Sequence, residues 1–195
     1  GICGDTSGSI LAGDILTDQA LPVEKVNVLL TSPGHYFPTY VTSSNGHYSF
    51  HGLPLAVDYT VRPERLDDPR NGVSTLDLVK IQKHLLGTEF FNSPCQYIAA
   101  DANNNGQVSA IDMVEIRKLI LGIYQEYPNN TSWRFVNKGV TMDPVNPWPL
   151  TEEIDIPALA ADSMMDNHFV AVKVGDINHS VKANAQQILP RNGHQ

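Results

Sequence analysis

Charge is what this sequence has least of. Asp, Glu, Lys and Arg make up 17% of its 195 residues, against about 25% in a typical soluble domain, and that scarcity excludes a coiled coil. Cysteine is nearly absent. Cys3 and Cys95 are too few for a disulfide framework and too far apart for a zinc knuckle, which leaves either one bridge between them or two buried thiols. No apolar run reaches the ~18 residues that a membrane-spanning helix needs. Gly1 is followed by neither a basic segment nor an apolar stretch, so no secretory leader is read and a mature or trimmed start is expected. Cations are in the minority throughout: the net charge is −4 over 1–64, −2 over 65–126 and −2 over 127–195, −8 in all. A nucleic-acid partner, which needs a basic surface, is not expected.

What the chain does hold is 42% apolar residues with 14 Gly and 13 Pro, enough for one or two cores joined by many turns. Apolar, β-branched and aromatic runs at 9–12, 26–31, 40–42, 48–50 and 59–61 read as strands. Between them stand Leu21-Pro22, Ser32-Pro33-Gly34, Ser43-Ser44-Asn45-Gly46 and Gly52-Leu53-Pro54, with Asn45-Gly46 a hairpin signal. Such spacing predicts a β-sandwich. The stretch from Val41-Thr42-Ser43-Ser44-Asn45-Gly46-His47-Tyr48-Ser49-Phe50 through Gly52-Leu53-Pro54 to Tyr59-Thr60-Val61 resembles the Ig-like, prealbumin-like sandwiches of the carboxypeptidase-regulatory-like and Cna-B-like families.

The next block changes period. Asn71-Gly72-Val73-Ser74-Thr75-Leu76-Asp77 and its continuation to Gly87 match Asn105-Gly106-Gln107-Val108-Ser109-Ala110-Ile111-Asp112 and its continuation to Gly122, a sequence repeat. Leu78, Ile81 and Leu85, and in the second copy Met113, Ile116 and Ile120, recur at helical spacing, and each copy ends on a glycine suited to a left-handed C-cap. Two helices of about three turns are predicted. Beyond Gly122, strands are expected at 133–136, 140–142 and 169–174 around the proline-rich 143–149. The chain therefore reads as mainly β with a small α part: a sandwich over 1–64, the helical repeats over 65–126, a β-rich extension over 127–181 packed on the preceding units, and a linker or assembly arm over 182–195.

The repeats also carry chemistry. A calcium ion wants six to eight oxygens, and a twelve-residue loop supplies them from positions 1, 3, 5, 7 and 12 with a glycine at 6. From Asp101 to Asp112 every one of those positions fits: Asp101, Asn103 and Asn105 offer side-chain oxygens, Gln107 its carbonyl, and Asp112 closes the loop from the helix. Ser109 is placed to hold a water, Val108 points inward to pair the loops, and no helix is read before the loop at Asn92-Ser93-Pro94-Cys95. The first copy is one residue short, with Pro69 and Arg70 among the expected ligands. Asp68, Asn71 and Asp77 are its candidates, and Ser74 with Asp77 reads equally as an N-capping box.

Two loop-helix units, each ending in Leu-Gly, resemble the EF-hand-like repeats of dockerin domains, in particular those of secreted Bacteroidota-type proteins. The resemblance implies a non-catalytic module with two structural calcium ions: the second loop carries its ion residue by residue, and the first leaves one or two in total. It also implies a cohesin partner gripped through loop positions 10 and 11. Those hold Thr75-Leu76 and Ala110-Ile111 here, and this apolar character predicts a face buried against the chain's own sandwich or extension.

Smaller signals remain. Asp176-Ile177-Asn178-His179-Ser180 repeats an Asp-x-Asn-x-Ser start, which could lend oxygens to a calcium site or form a turn after the preceding strand. His47 and His51 share a strand face without a third ligand. Asn129, Asn130 and Asn178 stand in N-glycosylation sequons, and Ser163 in an Asp-Ser-Met O-glycosylation signal. Trp133, Trp148, Tyr36 and Tyr40 are candidates for glycan stacking or for core packing. No nucleophile elbow, zinc-protease helix or phosphate loop is present, and Glu152, Glu153 and Asp155 read as a solvated stretch, so no enzyme is expected. The expectation is a secreted, calcium-stabilised module of an extracellular or cell-surface fibre or adhesin, assembling through its N-terminal strand or its 182–195 arm. Attachment of a larger secreted enzyme and carbohydrate binding are the alternatives.

Overall fold

Alternation of inward and outward side chains builds the strands of this protein. Along one of them Tyr59, Val61 and Pro63 turn inward while Arg62 and Glu64 face water, the period-2 pattern of a half-buried strand. The computed structural model describes residues 8–160 and 163–186. Its elements are β1 (Ser9–Thr17), β2 (Asn27–Thr31), β3 (Tyr40–Val41), β4 (His47–Leu53), β5 (Tyr59–Glu64), α1 (Thr75–Leu85), α2 (Pro94–Ala100), α3 (Ala110–Ile120), β6 (Trp133–Asn137), β7 (Ile154–Ile156), β8 (Ser163–Met164) and β9 (Phe169–Lys173).

The strands form two sheets, ordered β4-β1-β9-β6 with β8 also on β1, and β3-β2-β5-β7. Each contains strands from both sides of the helical block. β9 lies parallel to β1, with Ile15 beside Phe169 and Thr17 beside Ala171, and β7 pairs antiparallel with β5. The first third therefore does not close a sandwich by itself: residues 127–181 supply strands to both sheets, and the helices are inserted between β5 and β6. Parallel pairing of β1 with β9 requires such a long connection. Asn45-Gly46 is likewise no hairpin, because β3 pairs with β2 and β4 with β1, so this turn carries the chain from one sheet to the other. Gly46 is needed there, since a Cβ on it would fall 2.5 Å from the Ile15 carbonyl oxygen.

Leu11, Ile15, Val28, Tyr48, Val61, Trp133 and Phe169 fill the core between the sheets. The other face of β6 and β9 presents Val136 and Val172 to a second core, with Val174, Ile177 and the helix residues Ile81, Ile98, Ile116 and Leu119. β9 is thus covered on both sides, which explains its apolar run from Phe169 to Val172. Residues 140–142 form no strand; Val140 instead closes a turn on the Asn137 carbonyl. Nor does the tail leave the body at Lys182. Ala183 joins the inter-sheet core and accepts from the Glu24 amide at 3.1 Å, and Asn184 donates to the Pro22 carbonyl at 2.7 Å.

Candidate functional site

Helices α1 and α3 begin alike. Ser74 and Ser109 are the N-caps, each closing a capping box with Asp77 or Asp112 at the third helical position. Contrary to the sequence reading, a helix does precede the second loop: Ser93 caps α2 and Pro94 occupies its first turn, where proline's missing N–H costs nothing. The second unit is therefore helix, loop, helix.

In that loop Asp101 gathers the chain around its carboxylate, accepting from the amides of Asn105 at 3.0 Å and Gly106 at 2.9 Å. Asn103 and Asn105 accept from the Asn105 and Gln107 amides. Asp112 ties the end to the start: one oxygen accepts from the Asn103 amide at 3.2 Å, the other from the Ser109 amide at 2.8 Å and hydroxyl at 3.0 Å. Asn104 and Gly106 take the left-handed conformation the tight path demands, with φ of 58° and 78°. Asp101 is 2% exposed and Asp112 fully buried. Burial, with the Asp112 charge beside it, pushes the Asp101 carboxyl up from its ordinary value against the two amides that lower it. No Lys or Arg forms an ion pair with either carboxylate among the described residues. Two adjacent buried acids with amide and backbone oxygens around them are a donor set suited to a hard cation such as calcium. Among the described residues, no three His, Cys, Asp or Glu side chains converge on one point. Further oxygens in this loop must accordingly come from Asn side chains and the backbone.

The loop is braced from outside. Asn130 donates to the Asp101 carbonyl at 2.8 Å, and Arg134 on β6 reaches Asn104 and Asn130 while gripping Glu152 with two bonds of 2.7 and 2.6 Å. Trp148 covers Gly106. Glu152 is thus a structural anion, and Asp155 accepts from the Thr60 hydroxyl at 2.7 Å.

Before α1 the expected ligands do not converge. Asp68 is exposed, and Asn71 spends its amide on the Lys182 backbone, at 2.9 and 3.1 Å. Asp77 alone turns inward, fully buried, accepting from the amides of Ile177 at 2.8 Å and Asn178 at 3.0 Å. Val73 and Val108 both pack against the second core.

The face of α1 and α3 is open, which corrects the expectation that it is buried. Leu76 and Ile111 are 64% and 60% exposed, Val79 and Val114 46% each, Leu86 and Leu121 68% and 66%. These are equivalent positions of the two repeats. Apolar character alone does not establish burial: single apolar residues on a helix exterior are common and only a repeated set is informative. A shallow groove of about 360 Å³ runs between the helices past Val79 and Met113.

The remaining candidates scatter. Cys95 is buried and free among the described residues, and its thiol is pushed up to about 11 by burial; Cys3, the other half of the expected bridge, lies outside the described residues. His47 pairs with Asp14 and His51 with Ser49. Trp133 is core, 2% exposed, while Tyr36 is 92% exposed. Asn129 and Ser163 are exposed. The Asn130 amide is committed to Asp101, and the Asn178 side-chain oxygen is buried.

No curated protein matches the chain. Among protein families, the model of the dockerin type I domain matches residues 71–121, which run from the start of the first capping loop to the end of α3. The helical insert is therefore similar to a dockerin type I domain, a calcium-binding, non-catalytic attachment module.

Proposed function

We propose that this chain is a calcium-stabilised, non-catalytic attachment module of a secreted or cell-surface protein. Its two sheets act as a rigid mount, and its dockerin-like insert grips a folded protein partner of the cohesin kind. The loop from Asp101 to Asp112 holds calcium through Asp101, Asn103, Asn105, the Gln107 carbonyl and Asp112. The observation that carries the docking half is the paired exposure of Leu76 with Ile111 and Val79 with Val114 on α1 and α3, and of Leu86 with Leu121 at their C-caps. Apolar side chains kept in water at duplicated positions cost solubility and are retained where a partner covers them.

The fibre reading now has less support. β1 lies inside its sheet, between β4 and β9, and offers no free edge; the described part of the tail is packed on the body. Calorimetric titration of the full chain against a set of cohesin domains, in millimolar calcium and again in EGTA, tests the proposal. Calcium-dependent binding to at least one of them, abolished by L76E/I111E, is expected. Large calcium-dependent species of the chain alone in sedimentation velocity, dispersed by the same substitutions, would replace it with self-assembly.

A further inference from the structure

The first repeat has a capped helix and a closing aspartate but no first half of a loop. That half stands a hundred residues further on. We infer that a second calcium ion binds a composite centre made of two distant segments: Asp176, Asn178 and Ser180 act as loop positions 1, 3 and 5, the Gly72 carbonyl as position 7, and Asp77 as position 12. The inference rests on the calcium reading of the Asp101 to Asp112 loop and extends it to a centre that no contiguous motif describes.

The bonds to the first and the closing aspartate correspond in the two places, with the Ile177 amide as an additional donor to Asp77. Asp176 accepts from the amides of Ser180 at 3.0 Å and Val181 at 2.9 Å, four and five residues on, as Asp101 does from Asn105 and Gly106. Asp77 accepts from the Asn178 amide at 3.0 Å, as Asp112 does from Asn103. Its other oxygen takes the Ser74 amide and hydroxyl at 2.8 and 2.9 Å, the counterpart of Ser109. The backbone agrees: position 4 is left-handed in both, with φ of 58° at Asn104 and 60° at His179.

The break in the chain falls between positions 6 and 7, and there the segments touch. The Ser180 hydroxyl donates to the Gly72 carbonyl at 2.9 Å. A Cβ on Gly72 would come within 2.7 Å of the Val181 backbone, so only glycine allows the approach. The paired bonds of Asn71 with Lys182 clamp the junction.

What points to a ligand, beyond this likeness, is the Asn178 side-chain oxygen. It is buried and has no hydrogen-bond partner among the described residues, an arrangement that costs stability unless something satisfies it. Asp77 is fully buried and Asp176 4% exposed, and neither forms an ion pair with Lys or Arg among the described residues. An orphan oxygen on the residue whose amide binds Asp77, two positions from Asp176, is of the kind that a hard cation satisfies.

Native mass spectrometry with calorimetric calcium titration of the full chain tests this. Two ions are expected on the unaltered protein, one on Asp101→Asn, one on Asp176→Asn and none on the double variant. Asn178→Ala, which removes the orphan oxygen and keeps every backbone bond, guards against misfolding of the aspartate variants; it should weaken one of two sites at least tenfold. A single ion lost only with Asp101→Asn overturns the composite centre and leaves the loop reading intact. A single ion lost only with Asp176→Asn upholds the composite centre and overturns the loop. An unaltered chain that binds no calcium overturns both.

Discussion

The two loop-helix units hold the same helix 35 residues apart and reach it by different routes. Ile81 and Ile116 sit at equivalent positions, both fully buried, and Ser74 and Ser109 make the same capping bonds. Ahead of α3, however, the chain wraps its own carboxylate, whereas ahead of α1 the wrapping is done by residues that follow β9. A repeat can therefore lose half of its local motif and keep the geometry, provided another segment of the fold arrives in the same conformation. The second unit is locally encoded and the first depends on the sheet.

That contrast can be tested in steps. Ile81→Ala and Ile116→Ala should each cost about 2–5 kcal/mol in urea unfolding followed by circular dichroism; a much smaller loss at one would break the equivalence of the helices. Calcium removal comes next. If calcium is present at a hundredfold above its dissociation constant, EGTA should lower stability by about 2.7 kcal/mol per site, and Asp101→Asn should reduce the calcium-dependent rise in Tm without abolishing it. Gly106→Ala should cost about 1–2 kcal/mol for its left-handed backbone alone, because the space beside it is open to within 3.7 Å of Trp148. Gly72→Ala should cost more, through the clash with Val181, and equal losses would mean that the composite junction is not tight. Ser74→Ala and Ser109→Ala should each cost about 1 kcal/mol by chemical denaturation. Leu76→Glu, on the open face, should change stability by less than about 0.5 kcal/mol while removing partner binding; a large loss of stability would mean that the face is structural.

The sequence made the locally encoded parts readable and hid the rest. Alternation placed β2 and β5, the 35-residue offset placed α1 and α3, and the Asp101 to Asp112 spacing marked a loop whose hydrogen bonds close as that spacing requires. α2 was missed because Pro94 reads as a breaker, although Ser93 before it supplies the cap that makes proline a starting residue. The insertion of the helices into the sheets was hidden for a deeper reason: no local pattern says that β1 pairs with β9, which lies more than 150 residues away. One signal was present. The run from Phe169 to Val172 has no polar face, and such a strand must be covered on both sides. The composite centre left a similar trace in Asp176-Ile177-Asn178-His179-Ser180, half of a loop without a helix to follow it.

The parallel pairing of β1 with β9 has a mechanical meaning. The start of β1 and the end of β9 lie at opposite ends of that pair, so tension drawn between them pulls the strands lengthwise past each other. Their hydrogen bonds are then strained together and not opened one by one. Force entering at β1 crosses directly to β9, and the helices stand outside its path. A tether loaded in this way could bear a pull without unwinding the part that grips its partner.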